Sequence, residues 1–217
     1  MLGRAAVAMW WDVAPQMQAE FEDWHTHEHM PERLGIPGFL RGTRFIAPGQ
    51  PSYFVLYEAR SLAVLSAGPY LERLNNPSPW SRKIMPHHLN MVRSVCSVRA
   101  TFGGGVGLAL STVRFCPPRG QARKIAARLA QDVMPAVPQR KGLVAAHLLQ
   151  SRTMGAGPRT TEQEIRGGDA QADWVLLVHG YDAEAVAEFL GSHLQDLPRA
   201  VTGHYMPSYS LAPRELG

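Results

Sequence analysis

Cysteine, long apolar runs and clustered charge are all scarce in this chain of 217 residues, and each scarcity narrows what the protein does. There are two cysteines, Cys96 and Cys116, and they form no CxxC pair. That spacing argues against a bridge and reads both as small buried hydrophobes. No uninterrupted apolar stretch approaches the roughly 20 residues that cross a bilayer. The opening residues run into Trp10, Trp11 and Asp12 without a cleavable signal pattern. A cytoplasmic location and no membrane partner are therefore expected. The charge excess is +4, yet no basic run exceeds Arg82-Lys83, Arg123-Lys124 or Arg140-Lys141. Scattered arginine speaks against nucleic acid and leaves open a pocket for an anionic or carbonyl-bearing small molecule. Gly103-Gly104-Gly105 is followed by no Lys-Ser/Thr, so it is no phosphate loop, and no serine nucleophile elbow or Cys/His pair occurs.

What the chain does contain is a repeat of itself. Shifted by 104 residues, Glu28-His29-Met30-Pro31 falls on Asp132-Val133-Met134-Pro135 and Gly38-Phe39-Leu40 on Gly142-Leu143-Val144, with no gap from about residue 7 to 48. Each copy reads as strand, helix, strand, strand, helix, strand. In the first copy the expected elements are a strand over 5–11, a helix over 15–29 begun by Pro15, strands over 39–47 and 53–59 about a turn at 48–51, a second helix carrying Leu62, Leu65, Leu71 and Leu74, and a final strand over 91–102. The order βαββαβ is the ferredoxin-like unit, an antiparallel sheet with helices on one face. Two such sheets packed face to face cover each other, so the expected fold class is α+β, two tandem ferredoxin-like units forming an intramolecular dimeric α+β barrel. The units are expected at 1–103 and 104–217, joined at the glycine run.

Trp24, Glu28-His29-Met30-Pro31-Glu32, Pro37-Gly38-Phe39 and Arg44-Phe45 follow the first strand. This run resembles the helix-one to strand-two signature of EthD-like and related dimeric α+β barrel proteins, in which a Trp-x(3-4)-His-x-Pro pattern recurs. The motif lies within residues 24 to 45, whereas the implied fold covers both halves. Members include monooxygenases, muconolactone isomerases, polyketide cyclases and hydroxynitrile lyases, so the resemblance implies a fold and a pocket but no particular reaction.

Three of the nine histidines stand in the run His25-Thr26-His27-Glu28-His29. On an α-helical wheel Glu28 falls in the middle of the apolar stripe of Met17, Phe21 and Trp24, with His25 and His29 flanking it one turn apart. The second copy works as an internal control. It places Leu129 and Val133 where the first has His25 and His29, which marks both positions as inward. His27 pairs with Gln131 and drops in rank. A buried carboxylate is costly without a partner or a task, and the plainer alternative for Glu28 is a brace for the following loop. His25-x-x-Glu28-His29 also matches an inverted zinc pattern, with His87 or His88 as third ligand, although the family it resembles is largely metal-free.

The expected function is a cofactor-independent and metal-free enzyme acting on a small molecule by isomerase, cyclase or lyase proton transfer. Glu28, His29 and His25 are its catalytic candidates, and Arg44, Tyr57, Trp24 and His88 its substrate-binding ones. A cofactor-free monooxygenase, a metal-dependent hydrolase and a non-catalytic binding module are the alternatives. Trp10 and Trp11, like Tyr57 and Glu58, are expected to split between the two faces of their strands. The Gly- and Thr-rich insertion at 151–172 reads as a lid or a loose hairpin, and a homodimer stays open.

Overall fold

In the computed structural model, which describes residues 1–50, 52–152 and 159–216, the apolar segments form eight strands. They are β1 (Ala5–Val13), β2 (Phe39–Ile46), β3 (Ser52–Ala59), β4 (His88–Gly103), β5 (Ala109–Phe115), β6 (Leu143–Ser151), β7 (Trp174–Gly180) and β8 (Val201–Leu211). All pair antiparallel and close into one barrel in the order β1-β3-β2-β8-β5-β7-β6-β4. The first four lie as β4-β1-β3-β2 and the last four as β8-β5-β7-β6, the same order twice. Two seams join them, β2 to β8 and β4 to β6. This is the tandem ferredoxin-like, dimeric-type α+β barrel.

Period-two alternation decides what each residue faces. Ala6, Ala8 and Trp10 of β1 point into the barrel with Phe54, Leu56, Val175 and Leu177. Ala5, Val7, Met9, Trp11 and Val13 point outward, beneath helices, with Tyr53, Val55 and Tyr57 of β3. The barrel also buries polar groups: His147 and His179 face each other at 5.5 Å between ring centroids, and Glu58 accepts from Arg41 Nε at 2.7 Å.

The long first helix is not a uniform α-helix. After a 3-10 turn from Pro15 come α1 (Gln18–Trp24), a π-helical turn (His25–His29) and α2 (Met30–Leu34). Met30 N–H donates to the His25 carbonyl, five residues back. In the second copy α5 (Ala122–Arg128) runs into a π turn over Leu129–Val133, where Met134 N–H donates to Leu129. The two π turns stand 104 residues apart, the repeat spacing itself.

Three further departures concern the second helix of the first copy and its surroundings. Gly68-Pro69 splits the expected helix into a 3-10 turn at Val64–Ser66 and α3 (Gly68–Asn75). An unexpected α4 (Pro79–Ile84) follows, capped by Ser78, and β4 begins at His88. The insertion between β6 and β7 holds α6 (Thr161–Ile165), closed by a Thr160/Gln163 capping box. Residues 153–158 of that insertion, and Pro51 of the expected 48–51 turn, lie outside the described residues. The last helix is α7 (Ala183–His193). No helix among the described residues is long and apolar enough to cross a membrane.

Candidate active site

Beneath the π turn, between the helices and the outer face of β1, β3 and β4, lies a cavity of about 30 Å³, the room of one or two waters. Its aromatic walls are Trp11, Trp24, Tyr57 and Tyr70, and three imidazoles face it, those of His25, His29 and His88. The π turn is what delivers two of them. Each residue of the π turn advances less around the axis than in an α-helix, which swings His29 back from the flank toward the apolar stripe, so His25 and His29 share the buried face, their ring centroids 5.7 Å apart.

Trp24 holds the cluster together. Its indole packs on His29 at 4.4 Å and on His88 at 5.9 Å. Trp11, from the adjacent strand, stacks on His88 at 5.1 Å and 28°. His25 Nε2 lies 3.3 Å from the Tyr57 hydroxyl. The remaining nitrogens have no partner among the described residues: Nδ1 of His25 and His29, both nitrogens of His88, and Nε1 of Trp11. Burial, reinforced by nearby arginines, drives His25 and His29 well below the usual imidazole range, and burial holds His88 near pKa 3. All three are neutral at physiological pH, able to accept a proton or a hydrogen bond. The Tyr57 phenol is raised by burial and stays protonated.

Glu28 is elsewhere. The π turn rotates it out of the apolar stripe toward α4, where its Oε1 accepts from Trp24 Nε1 at 3.0 Å, Ser78 Oγ at 2.5 Å and Ser81 Oγ at 3.3 Å. It braces α1 against α4 and is not part of the cavity wall. Arg44 does not balance it. Its guanidinium reaches the Glu22 carbonyl at 3.0 Å, Thr26 Oγ1 at 3.1 Å and Ser208 Oγ at 3.1 Å, tying β2 and β8 to α1. The inverted zinc pattern loses its middle member with Glu28, and among the described residues no group of three or more His, Cys, Asp or Glu is placed to hold a metal.

Arg33, Arg93, Arg166 and Glu162 line the cavity without having been singled out in the sequence. For Arg33 a signal existed. It continues the His25, His29 spacing by four, and the repeat places buried Val137 opposite it. Glu162 and Arg166 come from α6 and the residue after it, so the insertion of the second copy walls the cavity of the first. Only tertiary structure brings them there.

No family model matches the sequence, and no curated protein matches it significantly. Solved structures do. An anthrone oxidase-like protein superposes with a TM-score of 0.69 at 12% identity, over 99% of this chain and 95% of that one. A candidate monooxygenase from Lactobacillus acidophilus NCFM gives 0.60 at 9% identity, over 97% of each chain. One from Fusobacterium nucleatum gives 0.58 at 9%, over 98% and 96%. At such identities the likeness shows the fold alone, and that fold is the α+β barrel with full-length coverage.

Proposed function

We propose that the chain is a small-molecule enzyme in which neutral imidazoles of residues 1–103 take a proton from a carbon or hydroxyl next to a carbonyl. One observation carries this reading: His25, His29 and His88 line a single aromatic-walled cavity, and each carries a buried nitrogen with no hydrogen-bond partner among the described residues. The corresponding helix of residues 104–217 presents Leu129 and Val133, both buried, so we assign that unit a structural role.

The roles follow from the contacts. Tyr57 steadies His25 through its hydroxyl. His29 and His88, with free nitrogens, are the proton acceptors; burial keeps both unprotonated at neutral pH but makes them weak bases, so the step depends on stabilising the substrate anion. Arg33 lies across the cavity where an oxyanion develops, and a fixed cation in a dry site stabilises such charge strongly. Returning the proton to another atom completes an isomerisation, cyclisation or elimination. No cofactor is needed for that step.

A second outcome for the same carbanion is reaction with dioxygen, giving a hydroperoxide that loses water to form a new carbonyl. The likeness to an anthrone oxidase-like protein and the EthD-like signature of residues 24–45 support it. Anthrone itself is a suitable probe. In deuterated buffer under nitrogen, the full chain is expected to accelerate deuterium entry at the anthrone methylene; under air, oxygen uptake and anthraquinone formation report the oxidative branch. The His29→Ala/His88→Ala double variant is expected to lose at least about 100-fold in rate, the range of general base catalysis. Exchange no faster than in buffer, or unaltered in the variant, rejects the reading.

A further inference from the structure

Beyond Arg33, the cavity wall carries charge that proton transfer does not use. Arg93 and Arg166 line it as well, and Glu162 is the one carboxylate that does. Glu162 pairs with Arg33 at close range and with Arg166 at 3.5 Å, and both Arg33 and Glu162 are buried. Asp169 holds Arg166 from behind through bonds of 3.1 and 3.0 Å. Glu32 lies 3.3 Å from Arg33 but is shared with the exposed Arg73. Arg93 donates to the Tyr70 hydroxyl at 2.8 Å and has no ion-pair partner among the described residues. The three guanidiniums that line the cavity are matched by three carboxylates, Glu162, Glu32 and Asp169, yet none of the three lies within ion-pair distance of Arg93, and the neutral imidazoles add nothing to either side. Arg93 is thus the guanidinium whose side-chain partner among the described residues is a neutral phenol, at a cavity walled by aromatic rings. A guanidinium that donates to a neutral hydroxyl keeps further donors for an incoming carboxylate, which such a planar fork receives through two charge-assisted bonds.

We propose that the site takes an aromatic carboxylate, whose carboxyl group is received by Arg93 and Arg33 while Glu162, contributed by the second repeat, gives up Arg33 to it. The inference rests on this cavity being the substrate site. In its present form the cavity has room for a water or two, so any ring, neutral or acidic, enters only as the wall formed by α6 and its neighbours gives way, and a carboxylate on that ring then also replaces Glu162 on Arg33. Glu162 is then a resident anion that an acidic ligand displaces and a neutral one does not. It makes the second repeat a specificity element for the first.

The test is calorimetric titration of the full chain with 1-hydroxy-2-naphthoate and with its neutral amide, 1-hydroxy-2-naphthamide. The carboxylate is expected to bind at least tenfold tighter. Arg93→Met should bring the two ligands within twofold of each other, and Glu162→Gln should tighten the carboxylate about tenfold by removing its competitor. Should Glu162→Gln fail to fold, the wild-type comparison and Arg93→Met still decide. Equal affinities in the wild type, a preference that survives Arg93→Met, or no binding of either ligand overturns the proposal. A carboxylate preference without anthrone exchange would sink the proton-transfer reading alone, and exchange without the preference would sink only this inference.

Discussion

Glu28 shows how one backbone irregularity reassigns a residue. On a regular helix it belongs to the buried stripe; with the π turn in place it leaves that stripe and becomes the shared acceptor of Trp24, Ser78 and Ser81. Its loss should therefore be felt in stability. Glu28→Ala is expected to lower the unfolding free energy by about 1–3 kcal/mol, since the Ser78 and Ser81 hydroxyls lose their acceptor and the Trp24 indole N–H keeps only Ser81 Oγ, at 3.2 Å, while the His29/His88 double variant should lose rate with a smaller change in stability. Urea titrations of both variants check this, and a Glu28→Ala protein as stable as wild type would show the bracing to be idle. His25 and His29 were legible because the repeat places Leu129 and Val133 at the matching positions, Trp24 because it lies on the apolar stripe of its helix, and Tyr57 because strand alternation puts it on the face opposite Glu58. Arg93, Glu162 and Arg166 were not, because nothing local in the chain says that an insertion after β6 crosses to cover β1 and β4.

Among elements, α4 went unread because six residues opened by Pro79 carry too little periodicity to stand out from a loop. It is nonetheless the strut that fixes the Trp24 side of the cavity. Ser78 does two things at once, accepting from Ser81 N–H at 3.0 Å as the cap of α4 and donating to Glu28. Ser78→Ala is expected to cost about 1–2 kcal/mol, the upper range for an N-cap. Faster amide exchange confined to α4 and the π turn is the signature to measure, and uniform exchange across the barrel would contradict it. The strands of the first copy, in contrast, were readable from alternation and turn residues, with every end within three residues of its observed place. Strand boundaries are set by where pairing partners run out, and that is a property of the sheet.

At the scale of the whole molecule the buried histidines couple folding to pH. Burial holds His88 near pKa 3, His147 near 2 and His179 near 3, against about 6.5 in an unfolded chain. The folded protein therefore binds fewer protons than the unfolded one between those limits. The stability these groups contribute is complete above pH about 6.5 and is lost as the pH falls toward 3, at up to about 1.4 kcal/mol per pH unit for each histidine. The urea midpoint should fall steeply from pH 6.5 to 4, and His179→Leu should flatten that slope. A midpoint constant over this range would show that the imidazoles titrate freely.

The two seams, β2 with β8 and β4 with β6, lie within a single chain. In an assembly of identical subunits every substitution is made twice, and a residue chosen for chemistry in one half is imposed on the other. Here position 29 and position 133 are free of each other. One half keeps imidazoles whose burial weakens the fold in acid, while its twin fills the same places with leucine and valine and supplies, through α6, a carboxylate that no symmetric partner would need.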